Sequence, residues 1–286
     1  MIFAAIACKL RVFVTGTDLS GAFFSGLAIF ATTALLSVGA HGCDGLSEGP
    51  GGTVTKVFDG NTLELDSGIL VRLVGAKAPS AAGRRTGAVA EPMADQAKAA
   101  LEKLVLNQPV RLELDREETD RYSHMEAQVY VDTSGGAWVQ QAMLNQGMAR
   151  VYGLPKDRLC MGELLAAEGT ARANGVGIWA DPYYSVREAA DPAALLGRVG
   201  HYEIVEGEIV STGEARNRIY LDFGRVWKQD VTATIEGKAK SLFVAAGIDP
   251  LALKGKRVRV RGWLESRDGP LIELSLPEQI EVLGPK

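Results

Sequence analysis

At 286 residues the chain is long enough for about two domains. Its 47% hydrophobic and 23% charged residues fit a globular protein. A formal charge of −4 and a pI near 5.6 exclude a global electrostatic pull on nucleic acid, so any such binding has to come from a local basic patch.

The N-terminal segment differs from the rest. Residues 22–40 form an uncharged apolar run, preceded by Lys9 and Arg11 and followed by small residues, with Val38 and Ala40 at a small-x-small cleavage pattern. This pattern predicts an export signal or an N-terminal membrane anchor over residues 1–45. The positive-inside bias places the domains beyond it outside the cytoplasm in either case, periplasmic or extracellular, with the membrane as a partner if the segment is not cleaved. Cys43, after Ala40-His41-Gly42, leaves lipidation as a third outcome. The three cysteines, Cys8, Cys43 and Cys160, show neither a disulfide framework nor zinc-ligand spacing.

From residue 51 the chain reads as alternating strands. Residues 53–58 alternate, Asp59-Gly60-Asn61 turns, and Leu63 and Leu65 resume the alternation. Asp66-Ser67-Gly68 turns again, and residues 69–74 make a third strand on which Arg72 sits between Val71 and Leu73. Residues 81–90 are a loop carrying Arg84 and Arg85. A helix is predicted from Glu91-Pro92 through Leu106, with an apolar stripe at Ala97, Leu101 and Val105. Strands at 110–115 and 127–131 flank a polar loop, residues 117–125. Helices come next at 138–146 and 159–173, closed by Gly147 and by Asn174-Gly175.

Three strands, a helix, two strands and two helices predict a five-stranded barrel with helices packed on it, over residues 51–184. The segment resembles the thermonuclease-like family, the staphylococcal-nuclease fold. The resemblance rests on the turn Asp59-Gly60-Asn61-Thr62, on Arg72, on Thr119-Asp120-Arg121-Tyr122, on residues 145–149 (Asn-Gln-Gly-Met-Ala) and on the closing Gly175-x-Gly177-Ile178-Trp179. It implies phosphodiester hydrolysis with a calcium ion held by two aspartates, a glutamate activating water, and two arginines on the phosphate. Calcium takes hard oxygen ligands, water needs a base beside it, and charge developing at phosphorus needs fixed cations.

Matched residue by residue, the chemistry is depleted. The two calcium aspartates match Asn61, which keeps an oxygen but no charge, and Lys77, which repels a cation. The glutamate matches Ser80, and the second arginine matches His124. Arg72 alone is retained. At ~4 Å and an effective dielectric of 20 a unit charge pair is worth about 4 kcal/mol, here directed against the metal. The resemblance therefore implies loss of Ca²⁺ and, with it, of the usual catalysis. Lys77 is expected to pair with Asp59 in the metal's place, or to be an ordinary solvated loop lysine. Arg72, Lys77, Arg121 and His124 form a phosphate-binding set with Tyr122 for base stacking, and Tyr152 falls near the family's substrate-facing tyrosines. Arg72 could instead be held in a structural salt bridge.

Residues 185–197 read as a linker. Beyond them, strands at 202–210, 218–223, 230–235, 256–264 and 270–276, with a turn at Ser211-Thr212-Gly213 and a helix at 239–246, predict an OB-fold over residues 198–286. Alternation puts Arg257, Arg259 and Arg261 on one strand face, and Tyr220, Phe223 and Trp227 lie nearby, a pattern suited to single-stranded nucleic acid or, since acids elsewhere in the domain nearly cancel its bases, to an ordinary solvated strand face. The fold class expected is mainly β with packed helices, α+β: a thermonuclease-like OB barrel plus a second C-terminal OB-fold barrel. The function expected is binding of nucleic acid or another phosphate-bearing ligand by an exported protein with a degenerate catalytic site. The alternatives are a phosphodiesterase with a modified mechanism using His124, and a cell-envelope protein-interaction scaffold.

Overall fold

Period-2 alternation becomes a meander. After β1 (Ser47–Glu48) come β2 (Gly52–Asp59), β3 (Thr62–Leu65), β4 (Leu70–Leu73) and the short β5 (Gly75–Lys77), then α1 (Ala94–Val105), β6 (Pro109–Leu114), β7 (Met125–Val131), α2 (Val139–Asn145), β8 (Arg150–Tyr152) and α3 (Met161–Ala173). The structure, a computed structural model, describes residues 43, 45–82, 89–115, 119–120, 122–133, 136–153, 155, 158–226 and 228–284. The apolar run 22–40, Lys9, Arg11, Cys8, Arg84, Arg85, Arg121 and Trp227 therefore lie outside the described residues, within which no helix is long and apolar enough to cross a membrane.

The first sheet closes on itself. β2 pairs with β3 and β3 with β4, both antiparallel; β4 runs parallel to β7, β7 antiparallel to β6, and β6 returns to β2. The inward residues Val54, Val57, Leu63, Leu65, Val71, Leu73, Leu112 and Val129 are buried, and Ala97, Leu101 and Val105, four residues apart on α1, plug one end. β1 extends the outer edge of β6, so ordered barrel sheet begins before the expected residue 51.

The sequence predicts one strand over 69–74. Instead the chain turns at Gly75, whose φ of 82° an L side chain rarely adopts, and starts a separate two-stranded sheet in which β5 pairs with the distant β8. That sheet carries Lys77 opposite Arg150. Cys43 is disulfide-bonded to Cys160, with Cα atoms 5.1 Å apart, which corrects the expectation of no disulfide. The bond links residues 117 apart, a pairing that spacing cannot reveal. A thioether-linked lipid would need the same Cys43 sulfur, so lipidation there and this disulfide are mutually exclusive.

The expected linker is built into the second barrel. It supplies β9 (Arg187–Glu188), parallel to β10 (Tyr202–Glu208), and α4 (Pro192–Leu196), whose N-cap Asp191 accepts from the Ala194 N–H. The remaining elements are β11 (Ser211–Ala215), β12 (Arg218–Asp222), β13 (Thr232–Glu236), α5 (Lys240–Ala245), β14 (Arg257–Ser266), β15 (Pro270–Leu274) and β16 (Ile280–Val282). The turn expected at 211–213 is strand; the chain reverses instead at Arg216-Asn217, both at positive φ as a tight hairpin turn demands. β13 runs parallel to β15, β15 antiparallel to β14, and β14 antiparallel to β10, which continues into β11 against β12. This is the connectivity of the first barrel repeated, and both are OB barrels.

The arginine face of β14 is not the open basic surface the alternation suggested. Glu206 takes Arg257 at 2.8 Å and Arg259 at 2.8 Å, Glu281 takes Arg259 at 2.9 Å and Arg261 at 2.5 Å, and Arg261 reaches across to Glu168 of α3 at 2.8 Å. The acids come from the neighbouring strands β10 and β16 and from the other barrel. The face is a neutralised ladder joining the barrels, which corrects its assignment to single-stranded nucleic acid.

Burial would push the carboxyls of Glu281 and Glu206 up, but the facing arginines outweigh it and hold both below their ordinary value of 4.5. The unfolded chain thus takes up more protons than the folded one, so this stabilisation is complete above about pH 4.5 and is lost as pH falls through the depressed values. Urea unfolding measured from pH 5 to 3 is expected to show a shallower acid loss for Glu281→Gln than for the parent chain. Equal slopes would refute the ladder's contribution.

Candidate functional site

The mouth of the first barrel opens on a cavity of about 800 Å³. Asp59 stands at the end of β2, and Asn61 lies in the turn just after it. The Asn61 N–H donates to Asp59 Oδ1 at 2.9 Å and its side-chain amide to the Ala76 carbonyl at 3.5 Å. Gly60 fits because the turn lies flush on α1: a Cβ there would come within 2.5 Å of the Ala78 Cβ and 2.9 Å of the Ala97 Cβ. Arg72 projects from β4, Lys77 from the end of β5, and Ser80 lies three residues further on. All of these except Gly60, together with Tyr122 and Tyr152, line the one cavity.

Lys77 neither pairs with Asp59 nor points into solvent. Its ammonium lies 3.6 Å from Glu91 Oε2 and donates to Ser80 Oγ at 3.3 Å, while the Ser80 N–H donates to Glu91 Oε2 at 2.7 Å. Arg150, almost fully buried, reaches the other Glu91 oxygen at 3.7 Å. The partner is Glu91 because β8 sets Arg150 beside Lys77, and the two cations converge on the acid that enters before α1. Burial lowers the Lys77 pKa, helped by the charges of Arg150 and Arg72 and opposed by Glu91. For Glu91 burial acts upward, but Lys77, the Ser80 amide and Arg150 prevail and hold it below 4.5.

Arg72 Nε sits 3.3 Å from Asp120 Oδ2, too poorly aligned for a hydrogen bond, and the side chain is 36% exposed. Asp120 also accepts from the backbone of Tyr122 and His124 and faces His124 Nδ1 at 2.9 Å. Burial opposes these bonds, and they still lower the Asp120 pKa. The salt-bridge reading of Arg72 is thus realised, with the side chain partly exposed on the cavity wall. His124 buttresses Asp120 and is not part of the cavity wall.

Sequence reasoning missed Asp120 as the partner of Arg72, and two further lining residues stand out among those it did not assign. Glu126, buried on β7 in register with Arg72, puts a third carboxylate on the wall of the cavity that Asp59 and Asp120 also line. Its place in the alternation of the β7 strand was the available signal. Trp263, from β14 of the second barrel, had none, because only the packing of one barrel on the other brings it here. Arg257, Arg259 and Arg261 stay apart from this cavity in the interbarrel ladder.

An ammonium held by a carboxylate and a hydroxyl occupies the corner where the resemblance asks for a calcium-binding aspartate, and a cation there would be repelled.

The closed five-strand circuit, the packed helices and the cleft with Arg72 on its third circuit strand define a nuclease-like OB barrel. The family model described as staphylococcal nuclease homologue matches residues 70–181. Protein ParB of Escherichia coli is 30% identical over 141 residues, covering 46% of this chain and 73% of that protein. The chain belongs to the staphylococcal nuclease homologue family.

Proposed function

We propose that this chain is an exported nuclease homologue that binds nucleic acid or another phosphate-bearing ligand in its first-barrel cleft and does not cleave it by the calcium route. The observation that carries this reading is the Lys77 ammonium seated between Glu91 and Ser80, a fixed positive charge where the hydrolytic relatives need a metal. Arg72, partly exposed on the cavity wall, supplies a guanidinium for the phosphate. Arg84, Arg85 and Arg121 add cationic charge close by in the sequence. Export is supported by the leader-like run 22–40 and by the Cys43–Cys160 bond, since disulfides persist in oxidising compartments.

The expected result is calorimetry without stoichiometric calcium uptake, and DNA left intact to the same degree in Ca²⁺, Mg²⁺ and EDTA. Binding to single-stranded DNA should weaken with salt, and Arg72→Ala should cost roughly tenfold, the equivalent of about 1.4 kcal/mol for a charge-assisted contact. Calcium-dependent cleavage abolished by altering Asn61 would overturn it.

A second reading is favoured by one observation: Asp59, Asp120 and Glu126 line the same cavity as Arg72, so general acid or base groups remain in place. Under this reading cleavage persists in EDTA and is lost in Glu126→Gln, which the same assay reads directly.

A further inference from the structure

Trp263 is 46% exposed and lines the cavity from the second barrel. It is held firmly from behind. Its backbone is in register with Tyr202, whose ring meets it edge-on with centroids 5.9 Å apart. Tyr202 is itself buried, donating its hydroxyl to the Val151 carbonyl at 2.9 Å and accepting at its own carbonyl from Arg150 Nη1 at 2.5 Å. The ring is packed edge-on by Tyr202 and still half exposed, and preorganisation of that kind lowers the entropy cost of binding. The Lys77 ammonium lies 5.4 Å from its centroid, and Tyr152 lines the cavity on the near side of Tyr202.

We propose that Trp263 is a stacking platform for a nucleobase and completes a composite nucleotide site, the phosphate of the same nucleotide lying toward Lys77 and Arg72. The inference rests on the proposed phosphate-binding role of the cleft and adds a ring-recognising element contributed by the second barrel. A half-exposed ring with an ammonium over one face suits a ligand that is planar at one end and anionic at the other. Every base presents a π-face, so the site reads the presence of a base and not its identity. An unpaired nucleotide can offer that face, whereas a base inside a duplex is already stacked on its neighbours.

The test uses the full chain, intrinsic tryptophan fluorescence and calorimetry, with adenosine 5′-monophosphate, ribose 5-phosphate and inorganic phosphate as probes. The nucleotide is expected to quench emission and to bind about tenfold more tightly than ribose 5-phosphate. Trp263→Ala should remove that advantage, so that nucleotide and ribose 5-phosphate bind alike, and Trp263→Phe, which keeps a ring, should retain most of it. Melting temperatures report whether each variant is folded. Equal affinities for nucleotide and ribose 5-phosphate in the parent chain, or an advantage that survives in Trp263→Ala, would overturn the platform while Arg72-dependent phosphate binding left the cleft's role standing. If no probe binds in an Arg72-dependent manner, both fall.

Discussion

Replacing Arg261 with methionine is expected to destabilise the protein by about 3–5 kcal/mol, the range for breaking a buried ion pair from one side. Its partner Glu168 is fully buried on α3. One Glu168 oxygen accepts from Arg261 at 2.8 Å and from the Val151 N–H at 2.6 Å, and the other accepts from Arg172 at 2.7 Å. Methionine fills much of the volume but leaves a buried carboxylate short of a charge. Burial alone would lower the Arg261 pKa, yet Glu168, Tyr202 and Glu281 raise it, so the guanidinium stays charged at any pH where the fold survives. Chemical denaturation reads the cost. Pairing Arg261→Met with Glu168→Gln should cost less than the sum of the two, because the second change removes the charge left stranded by the first. The ladder also spans the barrels, so the parent chain should unfold in one transition while Arg261→Met shows two. A loss under about 1 kcal/mol with a single transition would mean the ladder is ornamental, as many exposed ion pairs are.

That ladder marks the limit of what could be read from the chain alone. The alternation of Arg257, Val258, Arg259, Val260 and Arg261 correctly separated two faces, with Val258 and Val260 buried. What covered the other face was not local information: Glu206, Glu281 and Glu168 lie 20 to 93 residues away from the arginines that they meet. The barrels were legible because strand period, turn glycines and the apolar stripe of α1 are short-range patterns. The three-residue β5 was not, since a strand that short has no period. The residues matched to the family's motifs, Asp59, Asn61, Arg72, Lys77 and Ser80, do line one cavity. The partner expected for Lys77 was wrong, because Glu91 becomes its neighbour only once β5 and β8 pair. Trp263 shows the same limit at the scale of whole barrels.

Reduction of the Cys43–Cys160 bond should lower stability by about 4–5 kcal/mol on the chain-entropy model, with engineered and native examples more often giving about 2–4. The long separation of 117 residues is what makes the expected effect large, since the unfolded chain loses more freedom when a longer loop is closed. The bond joins the chain just ahead of β1 to the start of α3, where Cys160 is buried at a left-handed φ of 72°. Next to it Gly45 packs near Leu159. Cutting the bond therefore frees the segment that leads into the barrel edge. Thermal melts with and without a reductant measure the effect. The Cys43→Ala/Cys160→Ala double variant should match the reduced parent chain and be indifferent to reductant. Mass spectrometry of the mature protein supplies the independent arm, because a disulfide leaves no thiol at Cys43 to carry a lipid. A diacylglycerol on Cys43, or a melt insensitive to reductant, would refute the bond, and the main structural support for an oxidising compartment would go with it.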